Sequence, residues 1–102
     1  MFLPITTVAK TGSQDEAMKY GNDVEYGSTA GFYGNKEEAK WFFQNTQAGV
    51  TFANRPQGIT TGAWTGFQLF GCWKGSGSSG KNAGGHYYLP LYIHEQIQTL
   101  ID

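Results

Sequence analysis

The stretch that decides the fold is residues 25–55, EYGSTAGFYGNKEEAKWFFQNTQAGVTFANR. Its small and aromatic residues between glycines predict a short strand over Gly27–Gly34. Asn35, with a glutamate three residues later, matches a capping box and predicts a helix over Lys36–Thr46. The residues that follow predict a strand over Val50–Asn54. A strand, a helix and a strand in this order predict an α/β unit with at least some parallel pairing, because parallel strands need a crossover connection.

The residues before this stretch predict one more strand and one more helix. Leu3–Lys10 is rich in β-branched residues, which strands favour. Ser13, again with a glutamate three residues later, predicts a helix over about Gln14–Tyr20, with Gly21 as the glycine just past its end. Residues 1–54 are therefore expected to form a β-α-β-α-β core.

One face of the second predicted helix is apolar. Ala39, Phe42, Phe43 and Thr46 share this face at helical spacing. Such a stripe is more typical of a core surface than of a binding surface, so we expect these side chains to pack against the strands.

The second half of the chain has a different character. Residues 55–86 hold most of the remaining glycine, serine and threonine, and a loop of this length is usually either functional or disordered. The aromatic residues in this loop argue against a solvated linker. In the tail, residues 87–102, alternation from His94 onward predicts a strand over His94–Ile101 with at least one exposed side. We expect a single α/β unit with a glycine-rich loop and a terminal strand.

Composition excludes several classes of protein. The net charge of −1 leaves no basic face to follow a nucleic-acid backbone, so nucleic acid is not an expected partner. The single cysteine excludes an internal disulfide framework and indicates a reducing compartment, so we expect a cytoplasmic protein. The first residues, MFLPITTVAK, lack the basic start and long apolar run of a signal peptide. No apolar run approaches the length of a membrane span, so no membrane association is expected.

The stretch Gly75–Lys81, GSGSSGK, is close to a phosphate-binding loop but lacks its context. That motif places a hydroxyl residue after the lysine as a magnesium ligand, and here the residue is Asn82. A phosphate-binding loop also follows a hydrophobic strand and opens a helix, whereas here only QLF precedes and NAGGHYY follows. We interpret the glycines as a closely packed, tightly turning loop and expect no binding of ATP or GTP.

The sequence offers one candidate nucleophile, Cys72, and few candidate metal ligands. Cys72 has Lys74 nearby and His86 and His94 downstream, which would support a thiolate nucleophile. A lone cysteine between a glycine and a tryptophan is nevertheless more often a small buried hydrophobe. The two histidines, Cys72 and Glu95 match no recognised metal-ligand spacing. The acidic pairs fall in first helical turns, where they favour the helix dipole. No residue is therefore assigned as catalytic or as a metal ligand.

Five motifs occur in one order along the chain: FLP (2–4), EYGSTAGFY (25–33), AGVTFANRP (48–56), TTGAWTGFQLFGCWKGSG (60–77) and GGHYYLPLYIHEQ (84–96). Together they resemble the C-terminal end of an aldehyde dehydrogenase. Among the branches of that family, the chain is most similar to the 1-pyrroline-5-carboxylate (glutamate semialdehyde) dehydrogenases. The resemblance covers essentially the whole chain and is specific because separated motifs agree in order and spacing. It implies that the glycine-rich loop leads from the substrate pocket towards an oligomerisation segment.

The resemblance implies a substrate anchor. In the semialdehyde branch, a loop of the type Thr-Gly-Ala holds the substrate carboxylate through backbone N–H groups. Thr61, Gly62 and Ala63 match this loop. Glycine permits close approach of the backbone to a ligand, and consecutive N–H groups form a small anion nest.

The resemblance also implies a cofactor contact and a channel wall. In the family, a Glu-x-Phe-x-Pro turn contacts the nicotinamide end of NAD or NADP, and Phe2 and Pro4 match its Phe and Pro, while the glutamate's position falls before the first residue. Phe70 matches the aromatic residue of a Pro-Phe-Gly-Gly turn that walls the aldehyde channel. Leu69 replaces the proline and Cys72 the second glycine, so the turn departs from the family pattern, and Cys72 is not the family's nucleophile.

The rest of the family's machinery precedes the region that these motifs cover. The catalytic cysteine, the general-base glutamate and the dinucleotide-binding domain all lie upstream in the family. The resemblance therefore implies that NAD or NADP belongs to the complete enzyme, and that the isolated chain has no cofactor and no activity. It implies two partners: a second copy, through the C-terminal strand, and an upstream catalytic fragment. The alternative is a free-standing, non-catalytic association or ligand-binding module derived from that fold.

Overall fold

The computed structural model of the protein describes residues 3–56, 68–77 and 82–102. In chain order the elements are α1 (Gln14–Asn22), β1 (Tyr26–Gly27), β2 (Thr29–Phe32), α2 (Lys36–Asn45), β3 (Val50–Ala53), β4 (Trp73–Lys74) and a 3-10 turn (Leu89–Tyr92). Helices and strands mix along the described part of the chain, which confirms the α/β class.

The centre of the fold is the unit formed by β2, α2 and β3. β2 and β3 pair in parallel, in a register that runs from Thr29 opposite Val50 to Phe32 opposite Ala53. α2 forms the crossover between them, as parallel strands require. The parallel pairing expected from the sequence is therefore present. The single predicted strand over Gly27–Gly34 is divided at Ser28 into β1 and β2, which belong to different sheets.

α2 begins with the capping box that the sequence predicts. The Asn35 Oδ1 atom accepts hydrogen bonds from the backbone N–H groups of Glu37 (3.0 Å) and Glu38 (2.9 Å). The Glu38 Oε2 atom accepts in return from the N–H of Asn35 at 2.9 Å. The helix ends at Asn45, one residue before the predicted end, because Thr46 already has an extended backbone.

α1 begins as predicted but ends later. The Ser13 hydroxyl accepts from the N–H of Glu16 at 3.1 Å, while the Glu16 carboxylate accepts from Gly12 N–H at 2.7 Å instead of from Ser13. The predicted end at Tyr20, with Gly21 just past it, is wrong. Gly21 lies inside the helix, which runs to its cap at Asp23. This end needs no left-handed glycine, because the N–H of Asp23 still bonds within the helix, to the carbonyl of Lys19 at 2.9 Å.

The ends of the two helices are tied together by Asn22. Its side-chain amide donates to the carbonyl of Asn45 at 2.8 Å and accepts from the N–H of Gln47, also at 2.8 Å. Two backbone groups near the C-terminus of α2 are therefore satisfied by a side chain of α1. This contact fixes how the two helices meet at one end of the parallel pair.

The described core is small and lies between α2 and the parallel strands. Its buried apolar residues are Ala39, Phe42, Ala48 and Val50. The rings of Phe32 and Phe42 stack with centroids 5.3 Å apart. The predicted apolar stripe of α2 is correct for Ala39 and Phe42 and wrong for Phe43, whose side chain is 48% exposed. Successive helical residues differ by about 100° in direction, so only one of the two neighbouring phenylalanines can face β2.

A second, two-stranded sheet joins the two halves of the chain. β1 and β4 are antiparallel, with Tyr26 opposite Lys74 and Gly27 opposite Trp73. The Lys74 ammonium group donates to the carbonyls of Asn22 (2.5 Å) and Val24 (3.2 Å), which fixes β4 beside the end of α1. The predicted loop over residues 55–86 therefore contains a short strand.

Both predicted terminal strands are wrong. Residues 3–10 and 94–101 have no regular secondary structure, and their apolar side chains are exposed, from Leu3 at 61% to Leu100 at 90%. β-branched and alternating residues give a segment the potential to pair, but a strand forms only where a partner satisfies its backbone. The β-α-β-α-β order thus lacks its first strand, and the tail lacks its last. No helix in the described ranges is long and apolar enough to cross a membrane.

Candidate functional site

The carboxyl ends of β2 and β3 meet at one edge of the parallel pair and form the best-defined polar site. In α/β folds, ligands bind outside the carboxyl ends of parallel strands. Asn54 follows β3 directly and adopts a left-handed backbone with φ of 52°. Its side-chain oxygen accepts from the N–H of Gly34 at 2.9 Å, and its amide nitrogen donates to the carbonyl of the same residue at 2.8 Å.

This pair of hydrogen bonds fixes the turn that leaves β3. Asparagine tolerates a left-handed backbone better than most residues. Here its side-chain amide also bonds to the backbone of Gly34, where the next backbone hydrogen bonds between β2 and β3 would lie. The next residue, Arg55, is held by its carbonyl, which accepts from the Tyr33 hydroxyl at 2.8 Å. Its guanidinium carbon lies 5.8 Å from the centroid of the Phe52 ring, within the range of a cation–π contact.

An open cleft of about 500 Å³ lies against this edge. It is lined by residues 51–56 and by Gln68, which returns to β3 from later in the chain. The sequence analysis did not identify Asn54, Arg55 and Gln68 as site residues. The available signal was topological: polar residues that directly follow a strand in a β-α-β unit lie at the edge where ligands bind.

A second cleft, of about 400 Å³, lies between α1, β2 and α2. Its lining combines the inward face of α1, including Met18, with Trp41 and Phe42 of α2. This surface is mostly apolar, and it is the continuation of the small core rather than a set of converging polar groups.

Of the residues that the resemblance assigned to a site, Pro4 and Phe70 are described. Pro4 is exposed and lies in a segment without regular secondary structure. Phe70 is half-buried, and its N–H donates to the carbonyl of Ala83 at 3.0 Å. The cofactor residue Phe2 and the substrate-anchor residues Thr61, Gly62 and Ala63 lie outside the described residues. Their arrangement as a site therefore stays a prediction.

The chain around Phe70 packs closely on the start of β3. Gly71 lies so near Gly49 that a Cβ atom on either glycine would overlap the backbone of the other. Cys72, the next residue, is half-buried, and a Cβ atom at Gly77 would approach its Cβ atom to 2.8 Å. Close packing on both sides suits the interpretation of Cys72 as a small, partly buried side chain.

The titratable groups do not converge. Within residues 3–56, 68–77 and 82–102, no three His, Cys, Asp or Glu side chains come together as metal ligands would. The salt bridge from Lys40 to Glu37, at 3.0 Å, lies on the exposed surface of α2. In the tail, the hydroxyl of Tyr92 donates to that of Tyr88 at 3.5 Å, and this contact raises the pKa of Tyr92.

The described residues do not form a dinucleotide site. In α/β folds, a pyrophosphate binds at the N-terminus of the helix that follows a strand. α2 holds that position after β2, but Asn35 already bonds two of its first N–H groups. Glu37 and Glu38 add two carboxylates to its first turn, which would repel a pyrophosphate.

Comparison with known proteins gives a consistent result. Residues 1–97 match the model for the "Aldehyde dehydrogenase family". A 1-pyrroline-5-carboxylate dehydrogenase of Bacillus pumilus (strain SAFR-032) is 37% identical over 101 residues, which is 98% of this chain and 18% of that protein. An N-succinylglutamate 5-semialdehyde dehydrogenase of Caulobacter sp. (strain K31) is 39% identical over 94 residues, 90% of this chain and 18% of that protein.

A 1-pyrroline-5-carboxylate dehydrogenase of Bacillus subtilis (strain 168) is 36% identical over 101 residues, again 98% of this chain and 18% of that protein. The chain thus spans 18% of the length of these curated relatives. No solved structure matches the chain.

Proposed function

This chain belongs to the aldehyde dehydrogenase family, and on that premise we propose that it is the C-terminal part of a 1-pyrroline-5-carboxylate dehydrogenase. The complete enzyme would oxidise glutamate semialdehyde to glutamate with NAD or NADP, a step of proline catabolism. The observation that carries the proposal is the 37% identity to such an enzyme over 98% of this chain.

The part played by this segment follows from its residues. Thr61, Gly62 and Ala63 would hold the carboxylate of the semialdehyde through backbone N–H groups, as an anion nest does. Phe70 would form part of the wall of the aldehyde channel, and Phe2 would lie near the nicotinamide. The thiolate that attacks the aldehyde, the base that activates water and the cofactor site are assigned to the region upstream.

A chimera tests this assignment. Residues 1–102 replace the matching segment of the Bacillus pumilus relative, and NADH formation is followed with 1-pyrroline-5-carboxylate as substrate. We expect turnover by the chimera and none by the 102-residue chain alone. In the chimera, Gly62→Leu should lower kcat/KM at least tenfold, about 1.4 kcal/mol, because a side chain at this position blocks the approach of the carboxylate to the backbone.

The controls separate this anchor from general damage to the fold. Gly21→Ala, at a position where the added Cβ meets no atom within 4 Å beyond its chain neighbours and its own helix backbone, should leave turnover unchanged. Cys72→Ser should retain turnover, since Cys72 is not the proposed nucleophile. Activity of the 102-residue chain alone that Cys72→Ser abolishes would contradict the proposal. A folded but inactive chimera would instead favour a non-catalytic module.

We also propose that the tail, residues 87–102, docks on a second copy of the chain. Exposed large apolar side chains are concentrated there, including Ile93 at 66%, Ile97 at 88% and Leu100 at 90%. The radius of gyration of 18.2 Å exceeds the roughly 13 Å of a compact domain of this length. Burying these side chains at about 25 cal/mol per Å² favours association.

Sedimentation equilibrium measures this association directly. We expect a dimer or larger oligomer at micromolar concentration, and Ile97→Lys should weaken it at least tenfold, about 1.4 kcal/mol, by placing a charge in the apolar contact. Val8→Lys is the matched control, because Val8 is 84% exposed and lies outside the tail. A monomer at high micromolar concentration, or equal effects of the two substitutions, would count against the proposal.

A further inference from the structure

Lys74, in β4, joins two parts of the chain that lie far apart in sequence. Its ammonium group donates to the carbonyl of Asn22 at 2.5 Å and to that of Val24 at 3.2 Å. Asn22 is the last residue of α1, and the last carbonyls of a helix have no partner within it. A cation at this end of a helix also interacts favourably with the helix dipole. The contact therefore attaches β4 to the C-terminus of α1 through charge-assisted hydrogen bonds.

The backbone of Lys74 is left-handed, with φ of 52°, a region that residues other than glycine rarely adopt. Such a conformation persists only where the surrounding contacts impose it. Here the N–H of Gly75 donates to the carbonyl of Glu25 at 3.0 Å, directly after Lys74. Glycine would fit this backbone without strain. The lysine at this position is therefore explained by its ammonium contacts and not by its backbone.

A second side chain holds the turn formed by residues 73–77, which we call the anchored turn. The Ser76 hydroxyl oxygen accepts from the N–H of Gly27 at 2.9 Å and from the hydroxyl of Ser28 at 3.0 Å. Lys74 and Ser76 thus attach the anchored turn to the stretch of chain between the end of α1 and the start of β2.

The anchored turn lies against the segment that carries Phe70. A Cβ atom at Gly77 would approach the Cβ atom of Cys72 to 2.8 Å. On its other side, Gly71 is in close contact with the backbone that enters β3. Residues 70–72 are therefore enclosed between β3 and the anchored turn, and a displacement of the turn changes the direction in which the Phe70 side chain leaves the backbone.

We propose that Lys74 is a positioning residue: by attaching the anchored turn to α1, its ammonium group fixes the segment of Phe70, which the proposed dehydrogenase function places in the wall of the aldehyde channel. The effect of Lys74 on catalysis rests on that proposed function. The link from Lys74 to residues 70–72 does not require turnover and is measured without it.

Alkylation of Cys72 by iodoacetamide in the 102-residue chain measures this link. The chain has one cysteine, it is half-buried against the anchored turn, and mass spectrometry follows its modification. Lys74→Met keeps an unbranched stem without the ammonium group, and alkylation should become about threefold faster or more, because local opening of the turn exposes the thiol. Loss of a nearby cation would by itself lower the thiolate fraction and slow the reaction, so an increase in rate reports exposure.

Further variants separate the ammonium group from the backbone. Lys74→Gly relieves the left-handed backbone but also lacks the ammonium group, so alkylation should again become faster. Lys74→Arg keeps a cationic donor and should stay within about twofold of the parent rate. Lys19→Met is the matched control, because it removes an exposed cation from the last turn of the same helix, and it should leave the rate unchanged.

A parent-like rate in Lys74→Gly, or an equal increase in Lys19→Met, would overturn the proposal. Loss of the helical circular dichroism in Lys74→Gly would also overturn it, since the side chain would then hold the fold as a whole. If Lys74→Met alone loses that signal, Lys74→Gly decides the result.

Steady-state kinetics of the chimera with the Bacillus pumilus relative measure the effect on the channel. Lys74→Met should raise the KM for 1-pyrroline-5-carboxylate by about fivefold or more and leave the KM for NAD unchanged, because a displaced channel wall weakens binding of the aldehyde and not of the cofactor. A lower kcat with both KM values unchanged would indicate a loss of folded enzyme and would overturn the role in catalysis. If the parent chimera is inactive, the proposed function fails, while the alkylation rates still decide whether Lys74 fixes the segment.

Discussion

Gly49→Ala is expected to lower the free energy of unfolding by about 3 kcal/mol, the upper range for overpacking a tightly packed site. The added Cβ atom would overlap the carbonyl group of Gly71, which crosses the chain at the start of β3. The obstacle is backbone, so no side chain can rotate away. Relief requires the segment that carries Gly71 to move off β3, and that segment leads into the β1–β4 pair.

Urea denaturation followed by circular dichroism measures this loss. Gly21→Ala is the matched control, since its added Cβ meets no atom within 4 Å beyond its chain neighbours and its own helix backbone, and the residue is inside α1. Alanine is favoured over glycine in a helix interior by up to about 1 kcal/mol, so this variant should be slightly more stable than the parent chain. If Gly49→Ala and the parent chain unfold at the same urea concentration, the close contact of the two glycines is not a feature of the fold in solution.

The parts of the fold that the sequence predicts well are those fixed by local signals. The helix α2 has its cap, Asn35, and its apolar face within a few residues of each other. β3 is a short run of β-branched and apolar residues that follows directly. The ends of α2 and β3 were predicted to within one residue, because caps and turns depend on neighbours in the chain.

The parts that the sequence predicts badly are those that depend on distant partners. Leu3–Lys10 and His94–Ile101 have strand-like patterns, but no described segment pairs with them. In contrast, β1 and β4 are only two residues long and carry no pattern of their own, yet they pair across the chain because Gly27 permits close approach to Trp73. A pattern describes what a segment is able to do, whereas pairing depends on which other backbone lies beside it.

The residues discussed for the candidate site also fall into two groups: those that a local motif indicates and those that only the strand pairing brings together. Phe70 was singled out by matching the family pattern residue by residue, and its role in a site stays a prediction. Asn54 and Arg55 belong to the motif AGVTFANRP, yet they were treated only as a part of the resemblance. Their importance arises from topology: the parallel pairing of β2 with β3 brings the ends of both strands to one edge. Combining the predicted β-α-β order with the rule for parallel strand ends would have identified this edge from the sequence.

The second large expected effect concerns Phe42, which holds α2 on the parallel strands. Phe42→Ala should lower the free energy of unfolding by about 3 to 5 kcal/mol, the range for removing a buried phenylalanine ring. The side chain is 6% exposed, and its ring stacks on Phe32 at 5.3 Å. Folded proteins have a total free energy of unfolding of only about 5 to 15 kcal/mol. This single substitution therefore removes a large part of the stability of the chain.

The neighbouring residue of the same helix provides the control. Phe43 is 48% exposed, and its ring contacts that of Phe42 at 5.6 Å from the outer side. Phe43→Ala removes the same atoms from the same helix, with the same change in helix propensity, so any difference between the two variants reports burial alone. We expect Phe43→Ala to cost about 1 kcal/mol or less. Thermal unfolding of both variants, followed by the circular dichroism of the helices, gives the comparison. Equal losses of stability for the two substitutions would mean that α2 does not pack on β2 through Phe42. A different face of the helix would then have to pack on the strands.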